Sequence, residues 1–214
     1  MIIAVSGNIG AGKTTLVNRL AQHYGAQAEF EAVRDNPYLN DFYEDIARWA
    51  FPLQIYFLSH RFEQGVRIAK ASSSVVLDRT IYEDAHIFAY NLFKSNYLTR
   101  RDYQNYLHLY ETMVSLVPPP DLIIFLKGSV ATLQQRIQQR YRTQDQQRKN
   151  ENRIPSEYLE DLNTCYERWT QRFSRCPIFT IDIDLVDLGE AGSFQELLAG
   201  INPYLPTHSW NIFT

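Results

Sequence analysis

Apolar positions along the chain fall into two regimes that alternate. Short, largely apolar runs at 2–5, 28–31, 75–78, 122–126 and 178–183 are candidate strands. Between them lie longer stretches at 13–23, 52–70, 84–93, 100–117, 130–140 and 157–173, whose apolar residues recur at helical spacing. Parallel strands need crossover connections of a dozen or more residues, and these stretches supply them. The pattern predicts an α/β fold, a parallel sheet of about five strands flanked by helices. Pro118, Pro119 and Pro120 end the helix that precedes the fourth strand. A further short helix is expected at 194–201. The rest of 187–214 carries no functional signal. There is no internal repeat and no composition break, so 1–214 reads as a single domain.

Composition narrows the class of protein. Of the 214 residues, 45% are hydrophobic and 21% charged, which is the balance of a folded globular chain. No apolar run approaches the roughly 20 residues needed to span a bilayer. With 21 Lys+Arg against 24 Asp+Glu the net charge is -3, which argues against a nucleic-acid coat but not against a local phosphate site. Cys165 and Cys176 form no C-x-x-C, and His23, His60, His86, His108 and His208 show no metal spacing, so neither zinc nor a disulfide framework is indicated. The chain opens directly on a strand pattern without a leader, and a cytoplasmic protein is expected.

One segment departs from the average. Residues 136–153 carry Arg136, Arg140, Arg142, Arg148, Lys149 and Arg153 against only Asp145 and Glu151. Alone, such a run is a solvated face or a polar loop. It acquires a use if the chain binds phosphate.

The first strand leads straight into a phosphate motif. Gly7, Asn8, Ile9, Gly10, Ala11, Gly12, Lys13 and Thr14 fit G-x-x-x-x-G-K-[ST] between a strand and a helix, with Thr15 following. Glycines let backbone N–H groups curl around phosphate oxygens at a helix N-terminus. Lys13 is placed for the β- and γ-phosphates and Thr14 for Mg²⁺. A nucleoside triphosphate is therefore expected, either to be hydrolysed or to pass its phosphoryl group to a small molecule. The strands at 28–31 and 75–78 end in Glu31 and Asp78, and ligands in open α/β sheets sit beyond those carboxyl ends. No guanine-reading N-K-x-D is present.

Three further stretches share one resemblance. Asp78-Arg79-Thr80-Ile81-Tyr82-Glu83-Asp84 with the helix after it, Trp49-Ala50-Phe51-Pro52-Leu53-Gln54 with Arg61, and Ile154-Pro155-Ser156-Glu157-Tyr158-Leu159 resemble, in order, motifs of the deoxynucleoside kinase family in its bacterial branch. The resemblance implies a P-loop kinase fold and, with ATP as phosphate donor and Mg²⁺, 5′-phosphorylation of a 2′-deoxynucleoside in nucleotide salvage. By it, Glu31 is the general base toward the 5′-hydroxyl and Asp78 joins Thr14 at Mg²⁺. Arg79 contacts the 5′-oxygen and phosphates, while Arg136, Arg140 and Arg142 are arginines of a helical lid spanning about 136–153. Tyr43 and Glu151 bracket the 3′-hydroxyl, and Gln54, Arg61, Asp84 and Phe88 face the base. The family also implies a homodimer.

Spacing agrees with part of this. Gln54 and Arg61 are seven residues apart, and Asp84 and Phe88 four apart, so each pair shares a helix face. A glutamine amide suits adenine or cytosine equally. An ionised Asp84 prefers an exocyclic amino group to the thymine carbonyl, because it can only accept. The expected substrate is deoxyadenosine first, with deoxycytidine and deoxyguanosine close behind. The chain departs from the family at Ala32 (often proline), at Tyr141 (a glycine in the usual R-x-R), and by extra residues within 143–150. Three other readings stay open: a nucleoside-monophosphate or shikimate-type kinase, a non-catalytic accessory subunit of kinase-like fold, and a regulatory ATP-binding module without an acceptor site.

Overall fold

The computed structural model describes residues 1–31, 36–71, 73–142 and 154–206. Five strands form one fully parallel sheet: β1 (Ile2–Gly7), β2 (Gln27–Glu29), β3 (Val75–Asp78), β4 (Leu122–Lys127) and β5 (Ile178–Asp182). Their spatial order is β2-β3-β1-β4-β5. The chain thus winds one way to β2 and β3 and the other way to β4 and β5, placing the switch point beside β1. That is where open α/β sheets leave a crevice. Register pairs Val5 with Asp78 and with Ile124, so the end of β1 and the acidic end of β3 lie side by side.

Helices cover both faces, as the alternating pattern requires. On one face α1 (Lys13–Tyr24), α7 (Val130–Arg142) and α9 (Ala191–Ile201) bury Leu16, Val17, Leu20, Leu133, Leu197 and Leu198 against Ile3, Val5 and Ile124. On the other, α3 (Ile46–Lys70), α6 (Arg100–Val114) and α8 (Ser156–Arg172) bury Leu53, Leu58, Tyr106, Leu162 and Tyr166 against Ala4, Leu77 and Phe125. Full burial of such side chains stabilises the fold by about 1.5–3 kcal/mol each.

Element boundaries correct the sequence reading in several places. The second strand stops at Glu29, leaving Glu31 in the loop beyond it. Helix α3 begins at Ile46 rather than Pro52: the Asp45 side chain accepts from the Arg48 N–H at 3.1 Å and caps it, and Pro52 sits inside the helix. Helix α6 ends at Val114, before the proline triplet. A six-residue helix α2 (Leu39–Glu44) precedes α3. The stretch expected as one helix over 84–93 is two pieces, a π-turn (Asp84–Ala89) and α5 (Tyr90–Lys94), preceded by a short α4 (Ile81–Glu83).

Candidate active site

The loop after β1 supplies the first half of the site. Gly10 has φ +85°, and a Cβ there would stand 2.7 Å from the Leu133 carbonyl oxygen, so only glycine fits this turn. Lys13 opens α1, and its buried Nζ donates to the Asn8 carbonyl at 2.9 Å. Burial, helped by the nearby Arg79 charge, lowers its pKa to about 7; Asp78, Glu31 and Glu83 pull the other way without restoring it. The Thr14 hydroxyl donates to Asp78 Oδ2 at 2.6 Å. Asp78 Oδ1 is buried with no hydrogen-bond partner among the described residues. No group of three or more His, Cys, Asp and Glu side chains that could hold a metal ion occurs among those residues.

The second half lies beyond β2 and β3. Glu31 Oε1 receives Arg61 Nη2 at 2.7 Å, and Arg79 Nε stands 3.1 Å from the same oxygen, close enough to pair charge though not aligned to bond. Arg61 Nε donates to Asp84 Oδ1 at 2.8 Å. Among the described residues Arg61 Nη1 and Asp84 Oδ2 are buried without partners. Burial pushes the Asp84 carboxyl up to about 7 against the pull of Arg61, with Glu83 and Glu31 adding to the rise. Buried ions cost several kcal/mol each and are a poor way to gain stability, so this cluster reads as functional rather than structural.

Arg79 occupies an unusual position. It holds φ +72°, a conformation costly for a side chain with a Cβ and one that gathers at functional sites. Its guanidinium lies 4.7 Å from the centre of the Phe88 ring. Its Nη1 donates to the Gly7 carbonyl at 2.9 Å, to Glu83 Oε2 at 3.2 Å and to the Tyr166 hydroxyl.

One cavity joins the two halves. Ile9, Lys13, Glu31, Tyr43, Gln54, Arg61, Arg79, Asp84 and Phe88 line it together with Leu39, Phe42, Leu53, Phe57 and Tyr158. Nearly every acceptor-side residue expected from sequence therefore faces one space. In the wider π-turn, Asp84 and Phe88 still come close to one turn apart, and both reach it. Phe88 offers one ring to two uses, since Arg79 already lies over it. The apolar wall from α2, the ring of Phe57 and the contribution of Tyr158 were not anticipated. A six-residue helix gives little periodicity to detect, and Tyr158 sits inside a motif without declaring a role.

The lid arginines divide. Arg136 is packed into the phosphate loop, its Nη1 donating to the Ala11 carbonyl at 3.0 Å and its Nη2 to Ile183 at 3.5 Å. Arg140 and Arg142 follow in the last turn of α7, with Arg142 exposed. Tyr141 is exposed as well. Glu151, Ala32 and the extra residues of 143–150 lie outside the described residues.

A phosphate loop on the central strand, a Thr–Asp pair beside it and a carboxylate-lined acceptor cavity define a P-loop phosphotransferase. Residues 3–202 match the family model for deoxynucleoside kinase. The chain is 40% identical to the deoxyadenosine/deoxycytidine kinase of Bacillus subtilis (strain 168), over 87% of this chain and 84% of that one. It is 41% identical to the deoxyadenosine kinase of Dictyostelium discoideum, over 84% of this chain and 71% of that one. In structure it is similar to deoxyadenosine kinase from M. mycoides, solved with dCMP and a flexible dCDP as products, at TM-score 0.82 and 30% identity, covering 95% of this chain and 100% of that one. The same kinase with bound dATP superposes at TM-score 0.81. The protein belongs to the deoxynucleoside kinase family and is a kinase.

Proposed function

We propose that this kinase transfers the γ-phosphoryl group of ATP to the 5′-hydroxyl of deoxyadenosine, as a single domain with α7 and the residues after it as its lid. The observation that carries the base choice is the pair of unpartnered buried groups, Arg61 Nη1 and Asp84 Oδ2, on the wall of the acceptor cavity. A donor and an acceptor side by side suit a base that offers a ring nitrogen and an amino group. Gln54, buried on the same wall, suits adenine in the same way. The relatives named for deoxyadenosine support the reading.

Glu31 stands as the base toward the 5′-hydroxyl, its position fixed by Arg61 and Arg79. Phosphoryl transfer asks little of such a base beyond placement, because the transition state is loose. Lys13, Arg79 and Arg136 supply positive charge for the phosphates, with Arg140 and Arg142 closing from the lid. Gly7 to Thr15 cradle the triphosphate. Tyr43 and Glu151 take the 3′-hydroxyl, and Phe88 stacks on the base. Thr14 and Asp78 fit a magnesium ion: one hydroxyl and one carboxylate with an unused buried oxygen are what Mg²⁺ takes from protein when phosphates complete its shell. Bound there, Mg²⁺ would supply positive charge to offset the phosphate charge during the transfer. Among the described residues no helix is long and apolar enough to cross a membrane. A cytoplasmic homodimer engaged in nucleotide salvage completes the proposal, with no role for nucleic acid or membrane.

Initial rates with deoxyadenosine, deoxyguanosine, deoxycytidine and thymidine, under saturating ATP and Mg²⁺, test it directly. Deoxyadenosine is expected to give the highest kcat/KM and thymidine the lowest. Glu31→Gln should lower kcat by about 10²–10⁴ while ATP still binds. A preference for thymidine would sink the base assignment, and near-normal turnover in Glu31→Gln would sink the general base.

A further inference from the structure

Helix α8 turns one face toward the reacting centre, and that face does more than pack. Leu159, Asn163 and Tyr166 stand at i, i+4 and i+7 along it. The Asn8 side-chain amide donates to the Leu159 carbonyl at 2.9 Å and to Asn163 Oδ1 at 2.8 Å. Asn163 in turn donates to the Gly128 carbonyl at 3.0 Å. The helix is thereby bonded to the phosphate loop at its second residue. Seven residues further along, the Tyr166 hydroxyl reaches the loop's first residue and the acceptor side together.

That hydroxyl is fully buried and touches three groups. It lies 2.7 Å from Glu83 Oε2 and 2.9 Å from the Gly7 carbonyl oxygen, and it accepts from Arg79 Nη1. It has one proton to give, and the carboxylate is the shorter contact. Glu83 is itself committed at both oxygens: Oε1 accepts the Thr80 N–H at 3.0 Å in a capping box, and Oε2 faces Arg79 and Tyr166. Nη1 of Arg79 carries two hydrogens and meets three acceptors, so its direction depends on all three. The other side of the same guanidinium faces Glu31.

We propose that Tyr166 is a positioning residue for the phosphoryl transfer, its hydroxyl locking the Arg79 guanidinium against the first glycine of the phosphate loop and so fixing Arg79 between donor phosphate and Glu31. The proposal rests on the role given to Arg79. Without the hydroxyl, Nη1 keeps Gly7 and Glu83 as acceptors but loses the contact that ties it to α8, and Glu83 Oε2 loses a donor. Arg79 stays in the site with looser aim. Loss of aim reduces stabilisation of charge that develops in the transition state while leaving ground-state binding in place.

Tyr166→Phe removes only the oxygen. The ring stays stacked on Phe125, with centroids 5.5 Å apart, and edge-on to Trp169 and Phe88. Expected is a kcat about tenfold lower, with KM and the ATP dissociation constant each within about twofold and the melting temperature near wild type. Glu83→Gln should lower kcat likewise, and the double variant should lose no more than the worse single one within about twofold, because both act through Arg79. All variants are compared on whichever deoxynucleoside the wild-type enzyme turns over fastest, so a wrong base choice above leaves this test intact. Unchanged kcat in Tyr166→Phe, a raised KM with kcat retained, losses that multiply in the double variant, or a collapsed melting temperature would each overturn it.

Discussion

At the scale of single residues the decisive quantity is charge out of water. Lys13 sits buried in the free protein with the Asn8 carbonyl as its acceptor, and its pKa falls from 10.5 to about 7. A bound triphosphate brings oxygens that favour the charged ammonium, so binding should raise that pKa again. At about pH 8.5, uptake of nearly one proton per ATP·Mg²⁺ bound is expected, shrinking toward none at about pH 6 where Lys13 is already protonated. Titration calorimetry in two buffers of different protonation enthalpy measures this, and an uptake equal at both pH values would refute it. The sign for stability follows from the same shift. Between pH 7 and 10.5 the unfolded chain binds the proton that the folded one does not, so this residue's contribution to the ligand-free fold improves as pH rises through that window. Lys13 and Thr14 were readable in the sequence because backbone geometry ties phosphate chemistry to a short local motif, whereas Glu31, Asp78 and Arg79 were singled out by the family resemblance of the segments around them. Glu83 and Tyr166 were not, since their value lies in meeting each other across 83 positions of chain.

At the scale of elements, local signals decided how helices begin and tertiary contacts decided how they are wound. Asp45 caps α3 in an exposed position, ahead of the proline that seemed to mark the start. Asp45→Ala should cost about 1 kcal/mol, lowering the melting temperature by about 2–4 °C. Gln54 and Arg61 are held further along by buried neighbours, so KM should stay within about twofold of wild type. A large rise in KM would mean that the α3 entry also shapes the cavity. The π-turn at Asp84–Ala89 had no counterpart in the apolar spacing, which reads as an ordinary helix. Its start is pinned by the Thr80–Glu83 capping box on one side and by Asp84 bonded to Arg61 on the other. Winding of this kind recurs at functional sites.

At the scale of the whole molecule, one face remains open. A groove of about 750 Å³ runs between the π-turn, α6 and α8, lined by Tyr82, His86, Tyr103, Tyr110, Trp169 and Phe173 among others. Aromatic side chains of this kind are enriched at subunit contacts. Light scattering at micromolar concentration should give twice the mass of one chain, and a single-chain mass would refute the homodimer. The sequence by itself determined the sheet with its crossover helices, the phosphate loop and the acidic end of the third strand, because hydrophobic period and motif geometry are local properties. About five strands were expected and five are present among the described residues, the second ending at Glu29 rather than Glu31. Only the tertiary structure decided that Glu31 is held by both Arg61 and Arg79. It also decided that Arg136 docks on the loop backbone and that α8 reaches across to Arg79. Those contacts join residues 30 to 125 positions apart, and buried charges settle their partners by distance in space, which spacing along a chain does not encode.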